Sequence, residues 1–315
     1  MKAVLHFRAS PGFRRQLAAL APDGLDIVVV DEADEERFGA EMQDAEVLLH
    51  VLKPVTAEII AAAPKLRLIQ KIGVGVNTID LDAARAHGVA VANMPGTNSQ
   101  AVAEMTLALM LAVLRRIPLL DRVMRAGNGW SLPAETFDST GEIAGRTVGL
   151  VGYGEVPRRL APVLSALGAR IVYTSRSPKP EAVGERRDLN DLLAKADIVS
   201  LHLPLTDETV GMIDAAAIAR MKPGAVLINT ARGGLVDEAA LLAALKSGHV
   251  AATGLDTVAQ EPADTGNPLF TLDNVVVTPH IAYLTPETLA RSLGVAIENC
   301  RRVGRGEKLL NQVVP

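Results

Sequence analysis

The segment at residues 146–157 (RTVGLVGYGEVP) restricts the possible folds of this chain more than any other. Its apolar run at 148–151 predicts a buried strand, and residues 158–167 repeat apolar side chains at helical spacing. Gly152 and Gly154 lie between them. This arrangement can bind a dinucleotide pyrophosphate, because small residues let the backbone approach and unpaired N–H groups at a helix start receive the anion. Pro157 replaces the third glycine of the pattern, so an ordinary tight turn is the alternative.

Alternating strands and helices precede this segment. Such alternation indicates an α/β fold, with a parallel sheet covered on both faces. The predicted strands are 3–7, 26–30, 46–51, 66–72 and 89–92, and the predicted helices are 13–20, 57–63 and 81–87. The sequence Pro95-Gly96-Thr97-Asn98 then interrupts the pattern, and a long helix is predicted over 99–116. We place a domain boundary there.

A second alternating series begins at the glycine turn. Its predicted strands are 148–151, 170–174, 198–203, 225–230, 251–255 and 274–277. Six strands with intervening helices are typical of a doubly wound dinucleotide-binding domain. The last segment, 286–305, is predicted to be one helix that returns to the first domain.

The composition restricts the class of protein. The length of 315 residues suffices for two domains. A net charge of −4 gives no basic surface for nucleic acid or an acidic membrane. Cys300 is the single cysteine, which excludes an internal disulfide and fits a reducing compartment. The longest apolar stretch, 105–114, is too short to span a bilayer, and no signal peptide is visible. We expect a cytoplasmic protein with no metal, nucleic-acid or membrane partner.

Residues 171–179, which comprise most of the second strand of the second series and the loop after it, contain no acidic side chain. In dinucleotide-binding domains an acid at this place receives the adenosine ribose hydroxyls. A carboxylate would repel a 2′-phosphate, whereas Arg176, next to Ser175, can pair with it. The sequence therefore favours NADP(H) over NAD(H). A solvated loop with an incidental arginine is the alternative.

Three further side chains follow predicted strands of the second series: Arg232, Glu261 and His280. Ligands of open α/β sheets bind outside the carboxyl ends of the strands, so these side chains can converge there. Taken singly, each has an ordinary structural or solvated interpretation. An arginine, a glutamate and a histidine in three such places indicate a catalytic site.

Several ordered motifs together resemble the D-isomer-specific 2-hydroxyacid dehydrogenase family over nearly the whole chain. They are Gly73-Val74-Gly75, the helix start at 98–104, Gly152-Tyr153-Gly154, the arginine motif at 229–238, and residues 256–262 and 278–280. The resemblance implies a Rossmann-type doubly wound domain for the dinucleotide at 99–283. It also implies a smaller, discontinuous, flavodoxin-like substrate domain at 1–98 plus 284–315, with a cleft between the two, and it implies a homodimer.

The resemblance also implies residue roles. His280 is the acid/base, Glu261 is its partner, and Arg232 grips the substrate carboxylate and keto oxygen. The keto oxygen must gain a proton as its carbon gains hydride, and a histidine can supply one near neutral pH. The backbone amides of Val74 and Gly75 hold the substrate carboxylate.

Leu52, with its neighbours in 50–53, is expected to face the substrate side chain, and Trp130 and Tyr283 are possible neighbours. Lys53 could favour a second negative charge on the substrate, although a solvated lysine is the simpler interpretation. The residues expected to contact the cofactor are Gly152, Gly154, Glu155, Val156, Ser175, Arg176, Pro204, Thr209, Thr230, Ala231, Asp256 and His280.

The sequence departs from the family pattern at three positions. Pro157 stands for the third glycine, and Tyr283 stands where a glycine is common. Glu155 stands where an arginine often binds phosphate, and its charge would repel unless Arg158 compensates. Ser175 and Arg176 resemble the residues of NADP-using glyoxylate and hydroxypyruvate reductases.

The sequence leaves three functions open. The first is a D-stereospecific NADP(H)-dependent reductase of small 2-keto acids such as glyoxylate or hydroxypyruvate. The second is an NAD-dependent dehydrogenase of another 2-hydroxy acid, phosphoglycerate or D-lactate. The third is a nucleotide-sensing binding protein like the family's corepressors.

Overall fold

The computed structural model describes residues 1–21 and 24–315. The chain divides into two compact units. The first unit comprises Met1–Asn98 with Leu284–Pro315, and the second comprises Ser99–Tyr283.

The first unit is built on a six-stranded sheet in the order β13-β5-β4-β3-β1-β2. Its strands are β1 (Lys2–His6), β2 (Asp26–Val30), β3 (Val47–His50), β4 (Leu68–Lys71), β5 (Ala90–Ala92) and β13 (Gln312–Val314). The first five are parallel, and their order 2-1-3-4-5 is that of flavodoxin. The short strand β13 pairs antiparallel with β5 and was not predicted. The flavodoxin-like class is confirmed.

The helices in the described part of the first unit are α1 (Pro11–Leu20), α2 (Glu35–Met42), α3 (Ala57–Ala61), α4 (Leu81–Ala86) and α12 (Pro286–Arg305). The last helix has the predicted bounds, and the side chain of Thr285 caps it by accepting the Thr288 amide. Asn299 of α12 donates to the buried Gln70 side chain on β4 at 2.6 Å, which joins this helix to the sheet of the first unit.

The second unit is built on a seven-stranded parallel sheet in the order β12-β11-β10-β9-β6-β7-β8. The strands are β6 (Thr147–Val151), β7 (Arg170–Thr174), β8 (Glu185–Arg186), β9 (Ile198–Leu201), β10 (Ala225–Asn229), β11 (Val250–Leu255) and β12 (Val275–Val277). Counted from β6, the strands from β8 to β11 follow the Rossmann order 3-2-1-4-5-6, and β12 extends the sheet beyond β11. The Rossmann-type class is confirmed. The six predicted strands are all present, and the edge strand β8 was not predicted.

The helices of the second unit are α5 (Ser99–Leu114), α6 (Ile117–Arg125), α7 (Glu135–Asp138), α8 (Glu155–Ala166), α9 (Leu189–Lys195), α10 (Ala215–Arg220) and α11 (Glu238–Ser247). Two predicted boundaries were wrong. Helix α5 ends before Arg116, whose φ of 51° is left-handed. Helix α8 begins at Glu155 rather than at residue 158, because Pro157 falls in its first turn, where a missing N–H leaves no intrahelical bond unmade.

Side chains of β6 alternate between two hydrophobic clusters, as a strand buried on both faces requires. Val148 and Leu150 pack with Leu160 and Leu164 of α8. Val151 packs in the other cluster with Leu192 of α9. Packing on both faces therefore fixes the position of the end of β6 and of the glycine turn that follows it. Among the described helices, none is long and apolar enough to cross a membrane.

Candidate active site

The catalytic and cofactor candidates of the second unit follow the carboxyl ends of its strands. Residues 152–156 follow β6, residues 175–176 follow β7, and residues 204–209 follow β9. Arg232 follows β10, Asp256 and Glu261 follow β11, and His280 follows β12. Because parallel strands present these ends at one edge, the folding of one sheet gathers all of them.

His280 and Glu261 form a direct pair. The imidazole Nδ1 lies 2.6 Å from Glu261 Oε2, and Glu261 Oε1 accepts the Val258 amide at 3.1 Å. Each carboxylate oxygen thus has its own donor, which fixes the plane of the carboxylate. The opposite ring nitrogen of His280, Nε2, has no partner in the described part of the chain. This nitrogen can exchange a proton with a substrate.

Two opposing effects act on the pKa of Glu261. Burial raises it, but the hydrogen bond and charge of His280 and the Val258 amide outweigh burial and leave the pKa below the ordinary value. Glu261 is therefore ionised at neutral pH, and its negative charge stabilises a protonated imidazole beside it.

The backbone of His280 is held in a conformation rare for a residue with a side chain. Its φ is 53°, and its amide donates to the carbonyls of Asp256 at 2.8 Å and Thr278 at 3.0 Å. The Asp256 carboxylate accepts the Thr278 hydroxyl at 2.6 Å and the amides of Ile281 at 3.0 Å and Ala282 at 2.9 Å. Strained backbone persists only where its surroundings fix it, and Asp256 supplies that restraint.

The sequence predicted a contact between Asp256 and the cofactor, and that contact stays a prediction. It did not predict that the Asp256 carboxylate also restrains the backbone of His280. Asp256 is 1% exposed, and burial raises its pKa against the opposing effect of Thr278 and the two amides. These three donors to the carboxylate all belong to the loop that carries His280. Asp256 therefore links the end of β11 to the loop after β12.

Arg232 is presented by a turn that Asn229 braces. The Asn229 side chain donates to the Arg232 carbonyl at 2.8 Å and accepts the Ala231 amide at 3.0 Å. Arg232 Nη1 donates to the Ala231 carbonyl at 2.7 Å. Burial lowers the pKa of Arg232 while the charge of Glu261 opposes the shift, and a guanidinium stays protonated regardless. Its remaining donors are suited to a carboxylate.

Glu238 braces the loop that carries Glu261. One of its carboxylate oxygens accepts the Ala259 amide at 2.6 Å, and the other accepts the Asn267 side chain at 3.2 Å. A Cβ at Gly233 would lie 1.9 Å from the Val258 carbonyl carbon, so only glycine permits the two loops to pack together. Sequence reasoning missed the bracing roles of Asn229 and Glu238, although both lie in the arginine motif at 229–238.

The glycine turn has the geometry that a pyrophosphate requires. Gly152 has a φ of 95°, and a Cβ there would lie 2.7 Å from the His202 carbonyl oxygen. The amides of Glu155 and Val156, at the start of α8, have no protein acceptor within residues 1–21 and 24–315. A close backbone and unpaired amides at a helix start fit a bound dinucleotide.

The charge of Glu155 is partly neutralised, mainly by a residue that the sequence did not suggest. Arg159 Nη1 lies 2.8 Å from its carboxylate and lowers its pKa. Arg158, the expected partner, is 3.9 Å away and instead contacts Glu181 at 2.5 Å. These ion pairs are solvent-exposed and contribute little to stability.

The remaining cofactor candidates lie in ordered loops. Ser175 donates to the Ser177 carbonyl at 2.7 Å, while the exposed Arg176 side chain has no partner among the described residues. Thr209 donates to the Pro204 carbonyl at 2.7 Å and closes the loop after β9. Thr230, preceding Ala231, shares a hydrogen bond of 2.8 Å with Thr106 of α5.

In the first unit, the expected substrate residues lie at the carboxyl ends of β3 and β4. Val74 is 44% exposed and Leu52 is 38% exposed. The amides of Val74 and Gly75 have no protein acceptor in the two described ranges. Lys53 is not a solvated lysine as expected: its ammonium contacts the Glu32 carbonyl at 2.7 Å and the Glu35 carboxylate at 2.5 Å.

Two aromatic candidates lie in the second unit. The ring of Tyr283 meets that of His280 edge-on, with centroids 6.1 Å apart. Trp130 is 92% exposed. No group of three or more His, Cys, Asp or Glu side chains in the described sequence is placed to hold a metal ion.

The fold, together with the loops at the carboxyl ends of the strands of the second unit, defines an α/β protein with a dinucleotide-binding unit. Residues 107–282 match the family model described as D-isomer specific 2-hydroxyacid dehydrogenase, NAD binding domain. The chain belongs to the D-isomer-specific 2-hydroxyacid dehydrogenase family.

Two curated relatives differ in their named substrates. The chain is 44% identical over 296 residues to D-3-phosphoglycerate dehydrogenase of Mycobacterium tuberculosis, covering 92% of this chain but only 55% of that relative. It is 41% identical over 293 residues to glyoxylate reductase of Thermofilum pendens, covering 90% of this chain and 86% of the relative. Among solved structures, the TT0316 protein of Thermus thermophilus is 36% identical, with a TM-score of 0.90 over 100% of both chains.

Proposed function

We propose that this protein is a D-stereospecific, NADP(H)-dependent reductase of small 2-keto acids such as glyoxylate or hydroxypyruvate. The observation that carries the proposal is the 2.6 Å pair of His280 and Glu261, on the same sheet edge as Arg232 and the glycine turn. A proton donor, a carboxylate-binding cation and a dinucleotide turn on one edge are what keto-acid reduction needs.

The chain's own groups perform the proton chemistry. A bound nicotinamide cofactor would supply the hydride. Glu261 holds the imidazole through Nδ1 and favours its protonated form, so that Nε2 gives the proton to the keto oxygen. Arg232 binds the carboxylate and stabilises the charge that develops on that oxygen. The rate of reduction then depends on the proton that Nε2 carries.

Substrate binding in this proposal also uses the first unit. The unpaired amides of Val74 and Gly75 hold the carboxylate, and Leu52 contacts the substrate side chain. Residues 1–98 plus 284–315 then act as the substrate-binding domain, and residues 99–283 as the dinucleotide-binding domain.

The preference for NADPH rests on the turn after β7. No acidic side chain occupies residues 175–179, and the exposed Arg176 has no protein partner among the described residues, so its guanidinium is available to a 2′-phosphate. The other cofactor contacts are assigned to Gly152, Gly154, Glu155, Val156, Ser175, Pro204, Thr209, Thr230, Ala231, Asp256 and His280.

The first test is the rate of glyoxylate and hydroxypyruvate reduction with NADPH and with NADH, for the wild type and for Arg176→Asp. We expect a preference for NADPH that the variant abolishes or reverses, because a carboxylate repels the 2′-phosphate and accepts ribose hydroxyls. The control is Arg170→Asp, an exposed arginine at the opposite end of β7. Equal use of both cofactors, unchanged in the variant, would contradict the assignment.

The 44% identity to a phosphoglycerate dehydrogenase favours a second candidate, an NAD-dependent dehydrogenase of another 2-hydroxy acid such as phosphoglycerate or D-lactate. Oxidation of these hydroxy acids with NAD⁺, at rates above keto-acid reduction with NADPH, would select it.

We also propose a homodimer. Helix α6 has no buried residue, and Ile117 and Met124 on it are each 52% exposed, while Trp130 is 92% and Phe137 is 68% exposed nearby in the chain. Exposed apolar groups at this density mark an interface. Sedimentation of the wild type and of Trp130→Ser tests it: a dimer that weakens in the variant supports the proposal, and a monomeric wild type refutes it.

A further inference from the structure

The turn that presents Arg176 is held by a second arginine from a different strand. Arg186 Nε and Nη2 donate to the Ser175 carbonyl at 3.1 and 2.8 Å, and Nη2 also donates to the Arg176 carbonyl at 3.3 Å. The Ser175 hydroxyl donates to the Ser177 carbonyl at 2.7 Å within the same turn. The guanidinium of Arg186 thus fixes two successive peptide groups of the turn.

Local sequence explains how Arg186 reaches this position. Gly184 has a φ of 106°, and a Cβ there would lie 2.5 Å from the Ile171 carbonyl oxygen. Only glycine allows the chain to come this close to β7, and the edge strand β8 then pairs with β7 with Arg186 opposite Tyr173. From that register the long side chain extends past the end of β7 to the turn.

The positive charge of Arg186 favours an anionic ligand at this turn. Two carbonyl oxygens that would oppose an anion are bound by a cation, and one positive charge is added beside Arg176. The nearby acids have other partners, since Glu181 pairs with Arg158 and Glu185 with Arg187. Within residues 1–21 and 24–315, neither Arg176 nor Arg186 forms an ion pair, so the turn presents two positive charges to an anion.

We propose that Arg186 is a second specificity-determining residue for the adenosine 2′-phosphate, acting as a positioning residue for the turn that carries Arg176. This inference rests on the proposed preference for NADPH. Arg186 lies outside the glycine turn and the second-strand loop. It contributes to selectivity by fixing the backbone of the turn, whereas Arg176 contributes by direct contact.

The test compares the binding of 2′,5′-ADP and 5′-AMP, which differ only in the 2′-phosphate, by calorimetry on the intact protein. For Arg186→Met we expect about a tenfold loss of 2′,5′-ADP affinity with 5′-AMP affinity unchanged. The variant removes the charge-assisted hydrogen bonds from Arg186 to the carbonyls of the turn that carries Arg176. Arg186→Lys keeps the charge without the fork of donors and should recover part of the loss. The control is Arg187→Met, which removes a neighbouring arginine that pairs with Glu185 and Asp191.

Each other outcome overturns the inference in a recognisable way. An equal loss for both nucleotides would show that Arg186 supports only the fold of the loop. No loss for either would show that the brace does not matter. A wild type that binds both nucleotides equally would refute the NADPH preference together with this inference, while turnover of keto acids with NADH would still support the reductase.

Discussion

The carboxyl ends of the two sheets carry ionisable side chains in different environments. In the second unit, the side chains of His280 and Glu261 keep 22% and 36% of their surface exposed. In the first unit, His6, His50 and Lys71 stand in register across β1, β3 and β4 and are all buried. Ionisable side chains at the carboxyl ends of the two sheets therefore serve different purposes.

The buried row of the first unit is structural. His6 stacks on Phe38 with ring centroids 3.8 Å apart. His50 Nε2 bonds to the Lys53 carbonyl at 2.8 Å, and Lys71 donates to the Val51 carbonyl, so both shape the turn at 51–53. His6 Nε2 and His50 Nδ1 are buried and have no partner in the described chain. This edge also exposes the side chain of Leu52 and the loop at Val74 and Gly75, whose amides have no acceptor among the described residues.

The comparison teaches that exposure and a fixed partner, rather than the presence of a histidine, decide where proton chemistry can occur. A histidine without a partner that is shut away from solvent has little access to its charged form. His280 has both a carboxylate on one nitrogen and an open second nitrogen.

The largest expected effect is on His280. Replacing it by glutamine removes the proton donor, and we expect kcat for keto-acid reduction to fall about 10³-fold, within the range of general acid catalysis. Cofactor affinity, measured by fluorescence titration, should fall far less than kcat, because His280 is one of many assigned cofactor contacts. His249→Gln is the control, because that imidazole bonds to the Ile218 carbonyl, away from the site. A loss of less than about tenfold would mean that another group supplies the proton.

A smaller effect is expected at Asp256. Asparagine in its place offers an N–H group where the carboxylate now accepts the amides of Ile281 and Ala282. The loop should then release His280 from its left-handed conformation, and we expect about a 100-fold loss of kcat/KM. The matched control is Asp273→Asn, an exposed carboxylate that pairs with Arg122.

The two replacements differ in what they should do to the pH profile of reduction. Asp256→Asn keeps the proton donor, so the pH profile of its remaining activity should keep the wild-type shape. His280→Gln removes the donor, so its profile should differ from that of the wild type. If Asp256→Asn lost activity only through KM for the cofactor, with kcat intact, the direct cofactor contact would explain Asp256 better than the loop.

The sequence predicted the two sheets well because their strands are short apolar runs between turn residues, a local pattern. The bounds of β2, β7 and α12 were predicted without error. Helix α2 was missed because EERFGAEM is mostly polar and contains a glycine. The edge strands β8 and β13 have two and three residues, too few for a pattern.

The site was predicted as a set of residue types at strand ends, and its supports were not. The hydrogen bonds that the Asp256 carboxylate accepts join residues 22 to 26 positions apart. Arg186 reaches its turn across 10 and 11 positions through an edge strand that no local pattern indicates. Such supports depend on register and side-chain direction, which only the folded chain fixes.

The smallest expected effect concerns stability, and it tests the buried row directly. Burial, with a smaller contribution from the Lys71 charge, lowers the pKa of His50 to about 3 from an ordinary 6.5. Between these values the unfolded chain binds a proton that the folded chain does not, so stability must fall as the pH falls. From pH 7 to pH 5 the wild type should lose about 2 kcal/mol more stability than His50→Gln, because His202, whose burial lowers its pKa to about 3, contributes equally to both proteins. Urea unfolding at both pH values measures it, with His87→Gln, at an exposed histidine, as the control. Equal losses in the wild type and His50→Gln would show that His50 is protonated in the folded protein, and the contrast between the two sheet edges would fail.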